Sequence, residues 1–419
     1  MKPFSFVHAA DLHLDSPFTG ITAQSDEIGK VLYTATFKAF ENLLDLCIGK
    51  RVDFLLLSGD VYDSADRSLR AQLCFRDGLA RLSASGIQSF IVHGNHDPLD
   101  GWSSSIDWPD GVHIFSGDEV ESIFFTKAGE QTAVINGISY AHQDEQRNLA
   151  RYFKRSNSKL FHIGLLHCNA GNNKEHASYA PCDLDDLKDA GMDYWALGHV
   201  HKKDVLSESP FILYSGNTQG RNIRETGEHG CYLVTVDSSG HPHLEFHPID
   251  AARWALRNIS IDGLSTINEL DGTLSELCCS MRDESNGLPV FARIILTGRG
   301  KLYDELRIAG AIHELAERAR EQGLSESPIV WIEKIESTCR PDIDIEERKK
   351  IPDLLGDVLR ISEELRAAPY LSETLADTLK DLYKHTKAKK ILDPVDDETL
   401  RNLLDDAERF CVDRLGESE

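Results

Sequence analysis

Five short stretches place metal-ligating side chains in chain order: Asp11-Leu12-His13, Gly59-Asp60-Val61-Tyr62-Asp63, Gly94-Asn95-His96-Asp97, a single His167, and Gly198-His199-Val200-His201. Each directly follows a short apolar, β-branched run that predicts a strand, and strand ends are where layered α/β sheets place their sites. Residues two apart on extended backbone point to one side, so Asp11 with His13, and His199 with His201, can each send two ligands into one cavity. Glycine before Asp60, Asn95 and His199 allows a sharp turn and close backbone approach.

The set mixes carboxylate, amide oxygen and imidazole without a thiolate. That chemistry suits Mn²⁺, Mg²⁺ or Fe²⁺, with Zn²⁺ also compatible. Seven ligands exceed what one such ion needs once water is counted, and two ions sharing a carboxylate would use them all. His8, His93 and His142 also lie near predicted strands but fit none of these motifs, so they are expected to be hydrogen-bonded structural groups.

The strands that must carry these motifs are read at Ser5–Ala9, Phe54–Leu57, Ser89–Val92, Ile163–Leu166, Tyr194–Leu197, Phe211–Tyr214 and Cys231–Val236. Helices are read at Val31–Lys50 and Ser68–Ser83, giving a layered α/β domain over residues 1–250. After Pro248 the pattern becomes β-α-β-α-β, with strands Ala255–Ile261, Val290–Leu296 and Ile329–Ile335 around helices Ser265–Met281 and Tyr303–Gln322. This predicts a small second domain over 251–340. From Pro341 onward only charged amphipathic helices are expected, near Arg348–Arg366, Leu371–Ile391 and Asp396–Leu415, with Pro352, Pro369 and Pro394 near their boundaries. Their leucine stripes must be covered, either by the chain itself or by a partner.

Composition narrows the function classes. The formal net charge is -24 over 419 residues, and it is spread: residues 1–250 carry 21 Lys+Arg against 34 Asp+Glu, the remainder 24 against 35. Neither half is a basic nucleic-acid-binding domain, so a nucleic-acid enzyme of this charge would need bound cations or a partner. Arg147, Arg151, Lys154 and Arg155 form the densest basic cluster of the first domain, and Lys202-Lys203 follow the last motif. The nine cysteines are scattered with no CxxC pair, which predicts reduced, packed thiols. No stretch approaches the roughly eighteen apolar residues of a membrane helix and the first residues lack a signal-peptide core, so a cytoplasmic protein without membrane association is expected.

The ordered D-x-H, G-D-x-x-D, G-N-H-D, H and G-H-x-H motifs resemble those of the calcineurin-like metallophosphoesterases. The opening His8-Ala9-Ala10-Asp11-Leu12-His13-Leu14-Asp15-Ser16-Pro17 and the Asp60…Asp63 form of the second motif resemble the DNA-repair nuclease branch of SbcD-like proteins, especially the YhaO type. This resemblance implies a four-layer αββα sandwich and a pair of divalent cations, Mn²⁺ foremost. One would be held by Asp11, His13, Asp60 and His201, the other by Asp60, Asn95, His167 and His199. It further implies that His96 contacts phosphate and protonates the departing oxygen, that Asp97 orients His96, and that Asp63, where other relatives often carry histidine, is an accessory residue. The cations would position a phosphodiester, make a water nucleophilic near neutral pH and stabilise phosphoryl charge.

The resemblance also implies a metal-dependent exonuclease or endonuclease acting on DNA, a small capping domain, and C-terminal helices that dock an SMC-like (SbcC/YhaN-type) ATPase in a repair complex, with a homodimer as a further expectation. Two other readings stay open from the residues: a small-nucleotide phosphodiesterase or phosphatase, and a non-catalytic scaffold for a partner ATPase.

Overall fold

The computed structural model describes residues 1–16, 26–63, 67–101, 106–171, 179–369, 371–375 and 396–415. The chain divides into two compact units, the first formed by Met1–Leu256, Met281–Ala292 and Leu324–Glu333, the second by Arg257–Ser280, Arg293–Gly323 and Lys334–Glu419.

The first unit is built on two six-stranded sheets. One comprises β1 (Phe4–Ala9), β2 (Phe54–Ser58), β3 (Gln88–Val92), β4 (Val112–Ile114), β11 (Gly230–Val236) and β12 (Pro242–Pro248), in the order β12-β11-β1-β2-β3-β4. The other comprises β5 (Glu121–Lys127), β6 (Glu130–Gly137), β7 (Phe161–His167), β8 (Tyr194–Gly198), β9 (Asp204–Glu208) and β10 (Phe211–Tyr214), in the order β5-β6-β7-β8-β10-β9. The inner strands β1-β2-β3 and β7-β8 run parallel within their sheets.

Both faces of these strands are buried, which explains their near-continuous apolar sequences. The two-residue period still sorts the side chains. Phe4 and Phe6 of β1, Phe54 and Leu56 of β2, Phe161, Ile163 and Leu165 of β7, and Tyr194 and Ala196 of β8 form one core between the sheets. Its rings are closely set, with Phe6 and Phe54 stacked at 5.1 Å. Val7, Leu55 and Leu57 face the opposite way, into a second core under α1 (Asp26–Lys50) and α2 (Leu69–Ala84). Leu166, Trp195 and Leu197 face outward from the other sheet, beside α3 (Leu184–Asp189) and the 3₁₀ turn Leu149–Tyr152. The result is the four-layer αββα sandwich.

Five strands lie outside those read from the sequence: β4, β5, β6, β9 and β12. Four of them end a sheet and are partly exposed, so polar residues interrupt the apolar runs that mark the inner strands.

A third sheet orders β13 (Arg253–Ser260), β14 (Val290–Thr297) and β15 (Val330–Ser337). Its first helix is α4 (Ile267–Glu284), but the expected second helix over Tyr303–Gln322 is broken into α5 (Leu302–Leu306) and α6 (Ala311–Leu324). Gly310, at φ 94°, separates them in a left-handed conformation that no helix continues. Within the second unit the tail carries α7 (Ile345–Arg348), α8 (Leu354–Ala367), α9 (Leu371–Thr374) and α10 (Asp397–Leu415). The expected helix Arg348–Arg366 starts later because Pro352 interrupts it, and Asp353 caps α8 by accepting from Gly356 N. Most of the expected helix Leu371–Ile391 lies outside the described residues.

His8 joins the two large sheets. Its ring is fully buried on β1, with Nδ1 3.0 Å from the Tyr194 hydroxyl and Nε2 3.2 Å from the Leu197 carbonyl on β8. Burial pushes its pKa from 6.5 down to about 3, so the fold requires the neutral ring. Because the folded pKa is depressed, this stabilising effect is complete above pH 6.5 and is lost as pH falls toward 3. Chemical denaturation across this window should show an acid limb that flattens in His8→Leu, while the variant loses about 2–3 kcal/mol at pH 8.

Candidate metal centre

At the carboxyl ends of β1, β2, β3, β7 and β8, the sandwich core stops and polar groups take its place. Phe161, Ile163, Leu165 and His167 alternate onto the inner face of β7, so the last ligand candidate simply continues the apolar row into the rim. The turns after β1 and β2 remain tied together, with Asp11 N donating to Gly59 O, His13 N to Asp60 O and Leu14 N to Val61 O at 2.9–3.0 Å.

The backbone bends sharply to aim these side chains inward. Asp11 (φ 53°), His13 (φ 44°), Asp60 (φ 50°) and His199 (φ 103°) all adopt left-handed conformations that cost non-glycine residues energy. Of the glycines expected to make these turns, only Gly59, at φ 93°, adopts a positive φ. Gly94 serves close approach instead, since a Cβ there would strike the Asp60 carboxylate and the His167 ring.

The expected ligands converge. Asp11, His13 and His201 present atoms within 4.8 Å of one another, as do Asp11, Asp60 and His167, and also His13, Asp60 and His96. His167 Nε2 lies 3.1 Å from Asn95 Oδ1 and 3.4 Å from Asp60 Oδ2, while Asp60 Oδ2 is 3.9 Å from His13 Nε2. Asp60 therefore stands between the two halves of the cluster. The His199 ring stacks edge-on to His167 at 5.2 Å, and its backbone N–H donates to both Asp11 carboxylate oxygens at 3.1 and 3.2 Å.

Hydrogen bonds on the far side of each ring decide what the near side offers. His167 Nδ1 lies 2.9 Å from the Ser58 carbonyl, which can only accept, so Nδ1 carries the hydrogen and Nε2 turns a lone pair toward Asn95 and Asp60. His201 Nδ1 donates likewise to Glu225 at 2.8 Å, leaving its Nε2 lone pair 3.2 Å from His13 Nε2. Acceptors thus face acceptors across a buried space, an arrangement that cations satisfy. Burial pushes the Asp60 carboxyl up to about 6 and Asp11 well above its usual range, the latter helped by Asp60, and burial lowers His13 and brings His167 down to about 4. Without positive charge every one of these groups leans toward its neutral form; divalent cations would replace the missing protons. The residues present fit two such ions.

Asp97, Arg221 and Glu225 complete the surroundings of the centre. Asp97 does not orient His96. It is wholly buried and accepts from His93 Nδ1 (2.9 Å), Gly94 N (2.7 Å) and Val61 N (2.8 Å), tying the second and third motif turns together. Burial raises its carboxyl, yet His93 and these donors hold it below the usual range. The orienting group for His96 is the Asp63 carbonyl, which accepts from Nδ1 at 2.9 Å and leaves Nε2 for a ligand. Arg221 and Glu225 escaped the sequence reading because they follow the last motif by some twenty residues, in a segment with no spacing of its own. Arg221 ion-pairs with the Asp63 carboxylate, and Glu225 accepts from Arg221 N (2.7 Å) and Asn217 Nδ2 (3.0 Å) as well as from His201.

His8 and His93 are hydrogen-bonded structural histidines, and His142 pairs with Asp100 at 2.7 Å on the surface. In the basic cluster of the first domain, Arg147, Arg151 and Arg155 are each paired with a carboxylate.

A sandwich with this ligand-bearing rim defines a metallophosphoesterase centre, and residues 4–203 match the calcineurin-like phosphoesterase family. The chain belongs to the calcineurin-like metallophosphoesterases, which use a dinuclear metal site. Residues 254–340 match the middle domain of metallophosphoesterase YhaO. The chain is 35% identical over 409 residues to the uncharacterized metallophosphoesterase YhaO of Bacillus subtilis, covering 97% of each chain. It is 25% identical to the DNA double-strand break repair protein Mre11 of Thermoplasma acidophilum, over 85% of this chain and 89% of that protein. It is 22% identical to a component of the nuclease SbcCD of Escherichia coli, over 75% of this chain and 85% of that one.

Glu225→Gln should lower divalent-metal affinity about 10–100-fold, read by titration calorimetry, because the His201 ring loses the carboxylate that sets its orientation and basicity. Gly94→Ala should lose bound metal while keeping its far-UV circular dichroism, since the added methyl displaces ligands at the rim and leaves the core between the sheets untouched.

Proposed function

We propose that this chain is a metal-dependent DNA nuclease that hydrolyses phosphodiesters at a two-metal centre. The observation that carries the reading is that Asp11, His13, Asp60, His167 and His201 bring ligand atoms together at one sheet rim, with Asn95, His199 and His96 against them. It is supported by relatives named as a double-strand break repair protein and a nuclease component, aligned along most of the chain. In this reading Asp11, His13, Asp60 and His201 hold one ion, and Asp60, Asn95, His167 and His199 the other, with Mn²⁺, the ion the family resemblance puts first, among those the mixed oxygen and imidazole set suits. When bound, the ions supply electrostatic stabilisation of the phosphoryl group and a water made nucleophilic near neutral pH.

The protein's own groups do the rest. His96 is partly exposed, and its backbone N–H is anchored on Asp60 Oδ1 at 2.9 Å. With Nδ1 held by the Asp63 carbonyl, its Nε2 is the atom that meets a phosphate oxygen and hands a proton to the departing 3′ or 5′ oxygen. Arg221 keeps Asp63 in place and so fixes His96 indirectly.

In the same reading, residues 1–250 are the nuclease domain, 251–340 a capping domain that helps hold DNA, and 341–419 a helical region that docks an SMC-like ATPase in a cytoplasmic repair complex. Helices α8 and α10 bury Leu355, Leu359 and Val412 together, yet Leu354, Ile361, Leu403 and Phe410 stay 53–65% exposed on them. Such apolar residues on charged helices suit a partner's apolar surface.

His96→Ala should cut Mn²⁺-dependent cleavage of DNA by at least about 100-fold while the purified variant retains its metal content. Equal turnover by variant and parent would sink the assignment. Leu403→Asp combined with Phe410→Asp should abolish co-purification with the partner ATPase and leave DNA cleavage by the isolated chain unchanged.

A further inference from the structure

A pocket of about 890 Å³ opens beside His201, lined by Lys202, Lys203, Asn217, Arg224 and Phe246 among others. Its wall is tightly built. An added Cβ on Gly216, itself at φ 76°, would sit 2.9 Å from both His201 O and Lys203 N, so the backbone carrying the two lysines is pressed against the neighbouring turn. Lys203 Nζ lies 3.6 Å over the Phe246 ring.

The electrostatics of this lining differ from those of the rest of the chain. Glu225 is bound to His201 and Arg221, and Glu228 is paired with Arg253 at 3.2 Å, so each acid in the wall already has a basic partner. Lys202, Lys203 and Arg224 are exposed, and among the described residues none has a carboxylate within 4.0 Å. In a protein of net charge -24, three unneutralised cations beside a metal ligand form a local anion site. A second observation points the same way. Asn217 is fully buried, its Nδ2 donates to Gln219 O and Glu225 Oε2 at 3.0 Å, and its Oδ1 is left without a hydrogen-bond partner. A buried acceptor without a donor is costly, and a ligand donor would satisfy it.

We propose that this pocket is the subsite for the nucleotide adjoining the scissile phosphodiester. Lys202, Lys203 and Arg224 hold its phosphate, and Asn217 Oδ1 accepts from a base amine. The inference rests on the DNA nuclease reading and narrows it: the substrate is a strand with at least two phosphates. An isolated phosphoester would leave these cations unused. The volume is ample for a nucleotide.

The test uses the full-length, metal-loaded protein and a fluorescein-labelled single-stranded DNA of about twelve nucleotides whose phosphorothioate linkages resist cleavage. Anisotropy is measured across a salt series. Lys202→Ala, Lys203→Ala and Arg224→Ala should each weaken binding about 5–10-fold, and the triple variant should lower the salt slope by about 2. Lys188→Ala, on α3, should bind as the parent does. Parental affinity and slope in the triple variant, or no saturable binding by the parent, would overturn the subsite. Weakened strand binding together with absent Mn²⁺-dependent cleavage would instead keep the subsite and remove the nuclease reading. Cleavage by the triple variant at the parental KM would do the reverse.

Discussion

The structure depends on a convergence of lone pairs. His13, His167 and His201 turn ring nitrogens, and Asp11, Asp60 and Asn95 turn oxygens, into one buried space with too little positive charge of the protein's own to match them, since the neighbouring Arg221 is already paired with Asp63. In the isolated chain the carboxyls of Asp11 and Asp60 rise and the rings of His13 and His167 fall toward neutrality, because ionised acids and protonated imidazoles are both unfavourable in so dry a place. Two divalent cations remove that conflict at once. The strained backbone at Asp11, His13, Asp60 and His199 then has a physical reason, since only such turns bring oxygen and nitrogen from several strands to a common centre.

Holding the strained turns is the task of the sandwich beneath them. Phenylalanines stacked within the first sheet and set edge-on or tilted against those of the second, together with the His8 bridge to Tyr194 and Leu197, make a close-packed, nearly wholly buried floor. Above it, the rings of His167 and His201 each have a backing partner that fixes which nitrogen carries hydrogen: Ser58 O for His167, Glu225 for His201. Asp63 contributes twice, its carbonyl to His96 and its carboxylate to Arg221. The geometry of the centre is thus a property of strand ends and their tethers, with flexible side chains given few alternatives.

Charge explains a second feature. A chain this acidic repels polyanions, so any DNA must be met where positive charge is concentrated. Cations bound at the rim would supply one such place, and the pocket lined by Lys202, Lys203 and Arg224 beside His201 offers another. The paired arginines at 147, 151 and 155 show the contrast: each is already matched by its own carboxylate.

The motif residues, their order and the strands that precede them were legible in the sequence, because metal coordination restricts residue type and the two-residue period of a strand restricts spacing. So was the layered α/β architecture, since strands buried on both faces are written as unbroken apolar runs. What only tertiary structure decided lies in contacts between distant segments. Asp97 sits next to His96 in the chain, yet its carboxylate faces His93 and the turn at Val61, while the group that orients His96 comes from Asp63, thirty-three residues away. Arg221 and Glu225 gain their roles from folding alone, and the edge strands β4, β5, β9 and β12 from having a neighbour to pair with, because a hydrogen bond across the sheet leaves no periodic trace in either partner's sequence.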